Sequence, residues 1–400
     1  MPRSQNAPRV ITLILLTAVS LLSLNMFLPS LAQMARDFGA DYAVLNLSIA
    51  GYLAVSAVLQ LIMGPLSDRF GRRPVMLIGV AIFTVASLGC TLATNVWVFL
   101  FFRMLQGAVL VGSVLSRAII RDMYDEREAA SLMGYVAMAM AVAPMMGPMV
   151  GGTLEQLIHW RASFVTYALL GAALLIWCWY DLGETNKHKS ETFRAQFRGY
   201  PELIRSRRFW GYSICTTFSV GTFYIFLGGA PLAASAAFDL GPVGLGVGMG
   251  CTTAGFFFGN FASGRWAKQH SLSSMMIAGR LITLAGLSLG LLLLATGLFN
   301  PITLFASVVS IGIGNGLTLP AGNVGAMSVR PQLAGSASGL SGAIQVGGGA
   351  ALTTLAGILV NESHGVFILM AMLLVCTAAS LLAALYVRWV DQNDPLPVAQ

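Results

Sequence analysis

Three arginines lie within apolar stretches of this chain: Arg103, Arg117 and Arg280. A guanidinium at the centre of an apolar helix costs about 2.5–3.5 kcal/mol, so such a residue turns to the protein interior and marks recognition. Arg103 opens the run Arg103-Met104-Leu105-Gln106-Gly107. Arg117 follows fourteen residues later; on a helix that is about 40° around and about 21 Å along, so the two describe a cationic stripe. All three have a second reading: Arg103 as a side chain snorkelling to the outer surface, Arg117 and Arg280 as contacts to lipid headgroups. A further constellation is the charged turn Gly64-Pro65-Leu66-Ser67-Asp68-Arg69-Phe70-Gly71-Arg72-Arg73-Pro74, set between apolar runs. In Ala143–Gly152, Pro144 and Pro148 each remove a backbone donor, while Gly147, Gly151 and Gly152 admit a close neighbour, which makes a hinge and a seal.

Proton chemistry needs a titratable group, and the acids here are poorly placed for it. Of the sixteen acids, only Asp122 and Glu155 edge an apolar stretch, and none of the four histidines lies inside one. The embedded charge is therefore positive, which suits neutral or anionic ligands and disfavours permanent cations. There is no H-E-x-x-H, no pair of embedded aspartates and no embedded serine–histidine pair, so no enzyme, metal or cofactor is expected. Gly244–Gly250 superficially resembles a nucleotide loop, but no Lys-Ser/Thr follows it.

The elements that carry these residues follow from composition. The 400 residues are 56% hydrophobic and 10% charged, where a soluble domain carries about 25% charged residues. A span of about 20 apolar residues crosses a hydrocarbon layer about 30 Å thick. Twelve candidates are 10–28, 43–66, 75–92, 96–118, 130–154, 162–180, 209–232, 242–264, 274–298, 301–322, 335–360 and 364–388. The first is too long for a cleaved signal. With no water to satisfy backbone groups, the class is all-α. Apart from Arg36, Arg161 and the three embedded arginines, all basic residues map to one side, which places both termini in the cytoplasm. The net charge of +7 is thus a topology signal, aided by anionic inner-leaflet lipids, and needs no nucleic acid. The five cysteines form no C-x-x-C pair and read as small hydrophobes. The polar segment 181–208, with an amphipathic helix near its end, links halves 1–180 and 209–400. Glycines four apart, Gly147/Gly151, Gly255/Gly259, Gly312/Gly316 and Gly335/Gly339, allow close helix approach.

The turn from Gly64 to Pro74 matches the G-x-L-x-D-R-x-G-R-R/K signature and resembles that of the major facilitator superfamily, where it joins the second and third spans. Arg103-x-x-Gln106-Gly107 resembles the superfamily's fourth-span pattern of proton-coupled exporters. Gly147-Pro148-Met149-Val150-Gly151-Gly152 is similar to the fifth-span G-P-x-x-G-G of antiporters. With Asn25-Met26-Phe27-Leu28-Pro29, Ser116–Tyr124 and Arg205–Trp210, the chain looks like the Bcr/CflA-type multidrug exporters of bacteria. The likeness covers nearly all the chain and is specific mainly in its first half.

The resemblance implies twelve helices in two six-helix halves around a central cavity, working by alternating access as a monomer in the bacterial inner membrane. It implies efflux of a small-molecule drug or metabolite against inward proton flow. Asp68 is expected as a gate latch near the start of the eleventh span, with Arg69, Arg72 and Asp122 completing the network and Gly64 and Gly71 shaping the turn. Cavity candidates on the first, fourth, seventh and tenth spans are Asn25, Arg103, Gln106, Phe218, Phe223, Tyr224, Phe226, Asn315 and Asn323. Gln60 and Gln345 join them from the adjoining second and eleventh spans; unsatisfied amides are costly in lipid. One departure matters: where the subfamily carries an acid, this chain has Asn25, and Phe27 replaces a tyrosine. Proton coupling then falls to Glu155, to Asp122 or to the substrate itself, with Arg103 and Arg117 as embedded charges. The rival expectation is a narrow organic-anion or metabolite transporter without carboxylate-based coupling.

Overall fold

Backbone groups in an apolar layer bond within their own helix, since no water is there to take them. The computed structural model describes residues 8–123, 132, 144, 146–186, 200–238, 240–266, 269–298, 300–330, 333–361 and 364–393, and among these there is no strand. The helices are α1 (Val10–Asn25), α2 (Leu31–Phe38), α3 (Tyr42–Phe70), α4 (Arg72–Leu92), α5 (Val96–Leu105) and α6 (Leu110–Met123). They continue with α7 (146–157), α8 (Arg161–Asp181), α9 (Tyr200–Ile204), α10 (Arg207–Phe238) and α11 (Pro242–Trp266). The last are α12 (Leu272–Ala295), α13 (Pro301–Ser328), α14 (Ala334–Leu359) and α15 (Gly365–Asn393).

Ten of the expected spans are long and apolar enough to cross a membrane. This is an all-α, multi-pass membrane protein. The fifth expected span, 130–154, falls mostly outside the described residues. The eighth is the 25-residue α11, not one of the ten, where glycines and Asn260 replace bulky apolar side chains. Helix starts follow ordinary capping: Asn95 accepts from the Trp97 N–H at 2.8 Å, and Asn300 forms a capping box with Thr303 before Pro301.

Two expected spans are broken. Regular helix stops at Asn25, and a 3-10 turn over Leu28–Ser30 intervenes before α2, because Pro29 has no N–H to continue the ladder. The fourth span is interrupted by a 3-10 stretch, Gln106–Val109, between α5 and α6. Asn25 and Gln106 thus sit at the two discontinuities.

The chain divides into two compact units, residues 1–193 with 241–247, and residues 194–240 with 248–400. In the first, Gly112 lets α6 rest on the Leu16 carbonyl of α1, and the Ser20 hydroxyl lies 2.7 Å from the Val109 carbonyl. An aromatic cluster joins Phe99, Trp160, Phe164 and Tyr167, with Phe99 and Phe164 edge to face at 5.3 Å. In the second unit the Gly255/Gly259 and Gly312/Gly316 pairs interlock. A side chain on Gly312 would meet the Thr252 carbonyl and Gly255, and one on Gly316 would meet Gly259 and Asn260. Here backbones touch where apolar burial supplies no driving force. All five cysteines are free and four are buried.

Candidate functional site

Arg103 is wholly buried, and none of the ion pairs among the described residues involves it. Its Nε donates to the Ser48 carbonyl at 3.2 Å and one terminal nitrogen donates to Gln106 Oε1 at 2.7 Å. Arginine only donates, so the Gln106 amide is oriented, and its nitrogen donates to Ser87 Oγ at 2.7 Å. The guanidinium carbon lies 4.5 Å from the Phe27 ring centre and 4.3 Å from that of Tyr52. The Tyr52 hydroxyl is 2.7 Å from Ser23 Oγ. Ring faces and carbonyls thus replace a carboxylate as the counter-charge. The other terminal nitrogen of Arg103 and the Oδ1 of Asn25 are buried without hydrogen-bond partners.

The charged turn is an ion network on a shaped backbone. Arg72, 5% exposed, lies 2.6 Å from Asp68 and 3.0 Å from Asp122, and also bonds Ser67. Gly71 has φ +102, a conformation that favours glycine, and a side chain there would strike the Glu184 carboxylate. Glu184 accepts from the backbone N–H groups of Arg72 at 2.9 Å and Arg73 at 3.4 Å. It therefore covers the exposed donors at the start of α4. Asn186 extends the same contact, donating to the Asp68 carbonyl at 2.8 Å. Arg69 is exposed beside Phe70, its guanidinium 5.4 Å from the ring. Gly64 lies within α3, and its surroundings fall outside what is described.

On α7, Gly147 and Gly151 pack against the break after α1: a side chain on Gly147 would come 3.2 Å from the Asn25 Cβ, and one on Gly151 would overlap the Met26 carbonyl. Gly152 is closed over by Pro242, within the same unit. Pro144 and Pro148 are helical, the second of them buried.

The second unit has its own enclosed cation. Arg280 is wholly buried on α12, Nε donating to Thr318 Oγ1 at 3.0 Å and a terminal nitrogen to Asn315 Oδ1 at 2.8 Å. Ser219 also donates to Asn315 Oδ1, at 2.8 Å. Two donors on one oxygen fix which way the Asn315 amide faces. No described ion pair includes Arg280, and its remaining terminal nitrogen has no hydrogen-bond partner.

Residues 13–353 match the family model described as Major Facilitator Superfamily. The chain belongs to the major facilitator superfamily. It is 31% identical over 353 residues to the uncharacterized MFS-type transporter YdgK of Bacillus subtilis, covering 86% of this chain and 87% of that one. It is 27% identical over 372 residues to multidrug resistance protein D of Escherichia coli, covering 91% and 92%. Among solved structures, a bacterial homolog of the human lysosomal transporter Spinster, inward-facing and occupied, superposes with a TM-score of 0.76 at 16% identity over 98% of both chains. That last likeness speaks to the fold alone.

Within this major facilitator chain the other expected positions are spread. Asn25, 2% exposed, donates to the Leu21 carbonyl at 2.7 Å. Gln60 is half-buried on α3. Phe218, Phe223 and Tyr224 are half-buried on α10, the last two with ring centres 6.0 Å apart. Phe226 is fully buried and meets Phe305 edge on at 6.5 Å. Asn323 and Gln345 are brought together: the Gln345 nitrogen donates to Asn323 Oδ1 at 2.9 Å. Glu155 is half-buried near Ser30, Arg36 and Asp37. Of the two arginines of the expected stripe, Arg103 is enclosed, whereas Arg117 is exposed and donates to the Ser113 carbonyl at 3.3 Å. Arg103 turns into the helix seam where Tyr52 and Phe27 receive it; the hydrogen bond described for Arg117 is to its own helix. Arg280 likewise lies in a helix seam rather than at a headgroup position. Sequence reasoning missed Glu184, Tyr52, Phe27 as a cation partner, and Thr318. The one signal for Arg280 was a polar Asn315-x-x-Thr318 pair on α13, spaced to share a helix face.

Proposed function

We propose that this chain exports small neutral or anionic amphipathic compounds across a bacterial inner membrane, by proton antiport through alternating access. The observation that carries this reading is that each unit wholly buries a guanidinium, Arg103 in one and Arg280 in the other, that is in no ion pair among the described residues. A permanent cation approaching either would meet like charge in a low-dielectric setting. A neutral molecule carrying acceptors, or an organic anion, meets donors instead. The names of the Escherichia coli relative and of a chloramphenicol resistance protein of Pseudomonas aeruginosa, 32% identical over 225 residues, support drug efflux.

In the proposed cycle the network of Asp68, Arg72 and Asp122 holds one side shut, with both termini in the cytoplasm. The α7 glycines seal the resting path at the Asn25 break. Proton coupling rests on Asp122, on Glu155 or on a substrate that carries the proton. The second reading, a narrow organic-anion facilitator, is favoured by Asn25, which cannot titrate.

Inside-out vesicles from an efflux-deficient bacterium test the proposal. A pH dye reports gradient dissipation on adding neutral, anionic and cationic compounds, with Arg103→Ala vesicles as the comparison. Dissipation by uncharged or anionic compounds, lost in Arg103→Ala, is the expected result. Equilibration of labelled compounds without proton movement would sink the antiport reading and leave the facilitator.

A further inference from the structure

One end of the second unit gathers arginines that neither the ion network of the charged turn nor the enclosed cations use. The short helix α9, the start of α10 and the ends of α13 and α15 frame a groove of about 940 Å³. Its lining includes Arg205, Arg207, Arg208, Arg330, Glu202 and Trp389. Among the described residues the two nearby acids are engaged: Glu202 pairs with Arg330 at 2.6 Å, and Asp391 pairs with Arg208 at 3.0 Å while accepting from the Tyr212 hydroxyl at 3.2 Å. Arg205 and Arg207 are exposed, and no ion pair among the described residues includes them.

These two arginines are held in place by the backbone. Leu203, within α9 and two residues before Arg205, is wholly buried in the same core as Phe209. The Trp210 indole donates to the Ile204 carbonyl at 2.7 Å, and Ser206 Oγ accepts from the Phe209 N–H at 3.3 Å. Two planar donor forks rooted on an ordered backbone match the oxygens of a phosphate better than the point charges of lysines would.

A second observation bears on what such a phosphate would carry. Leu382, Leu385, Tyr386 and Trp389 are 68%, 44%, 41% and 56% exposed. Their spacing puts them on one face of α15, and that face runs from the groove into the apolar part of the helix. Tyr386 and Trp389 stack at 6.1 Å, as aromatic side chains do at headgroup depth. A free phosphate has no use for such a stripe; an acyl chain does.

We propose that this groove binds the headgroup of an anionic phospholipid, with Arg205 and Arg207 on the phosphodiester and an acyl chain along Leu382–Trp389. The site is independent of the transport reading and requires only that the chain sits in a bilayer.

The test uses the purified full chain in detergent micelles, titrated with phosphatidylglycerol or with phosphatidylcholine, and counts retained lipid by native mass spectrometry. The wild type and Arg265→Gln, an exposed basic residue outside the groove, are expected to retain phosphatidylglycerol in preference to phosphatidylcholine. Arg205→Gln/Arg207→Gln is expected to weaken that retention about 30-fold, two basic residues at the value typical of a membrane surface. Arg205→Lys/Arg207→Lys keeps the charge and is expected to recover most of it. Leu382→Ser/Leu385→Ser is expected to weaken lipid retention through the chain alone. Equal affinity for the two lipids, unchanged retention in both the double Gln variant and its single-site versions, or displacement of phosphatidylglycerol by excess inorganic phosphate would each overturn the proposal; the last would mark a free-anion site.

Discussion

Replacing Arg103 by methionine sets the two sides of its burial against each other. Removing the charge relieves about 2.5–3.5 kcal/mol of membrane desolvation. Against this stand two charge-assisted hydrogen bonds, at 2.7 Å and 3.2 Å, worth about 1.5–3 kcal/mol each with the longer at the low end. Two ring faces at 4.5 Å and 4.3 Å add about 1–2 kcal/mol each. The difference is a loss of about 1.5–6 kcal/mol for Arg103→Met, centred near 4. Part of that loss is the stranded Gln106 carbonyl, so Gln106→Leu should be milder in the Arg103→Met background than alone. A coupling of about 1–2 kcal/mol is expected in the double-mutant cycle. Reversible unfolding in mixed micelles, titrating sodium dodecyl sulfate into dodecyl maltoside, measures all four proteins. Arg103→Met as stable as the wild type would refute the reasoning, because desolvation would then dominate. Strict additivity would show that Gln106 is not held by Arg103.

Other substitutions separate backbone crowding from conformation. Gly151→Ala places a methyl on the Met26 carbonyl and is expected to remove most folded protein, by about 2–3 kcal/mol or more. Gly264→Ala, which meets nothing within 4 Å, should be silent by size-exclusion profile and vesicle transport. Gly39→Ala, at φ +60 in open space, should lose only the left-handed penalty of about 1–2 kcal/mol. Gly71→Ala should lose more, and Glu184→Ala should restore part of the difference, both read from thermal unfolding. Arg280→Met should reduce efflux of anionic compounds more than that of neutral ones; equal loss across the panel would assign Arg280 to packing alone.

Ten span positions and the charged turn were legible because each is local: apolar length, or charges and glycines at fixed spacing. Glu184 was not, since its partners Arg72 and Arg73 lie more than a hundred residues earlier and carry no complementary pattern around it. Arg103 was marked by its setting, but its acceptors were not, because Phe27 and Tyr52 read as ordinary apolar positions until α1 and α3 are placed beside α5. That the two arginines of the expected stripe differ in burial was hidden for a related reason. Helical phase predicts which residues share a face, not which neighbour turns a long side chain inward. The breaks at Asn25 and Gln106 were half visible, in Pro29 and Gly107, yet whether such a residue bends a helix or only accompanies it is decided by what packs there.

The interlocked glycines of α11 and α13 have a mechanical consequence. A seam of side chains can slip by exchanging rotamers, each step small and each leaving the contact intact. A seam of bare backbone has no rotamers to exchange, so any sliding breaks contact along its whole length at once. The two helices therefore travel as a single beam through whatever motion the second unit makes. Bending is left to places where the hydrogen-bond ladder is already interrupted, at Pro231 of α10 and at Pro320 of α13, beyond the interlocked stretch that ends at Gly316.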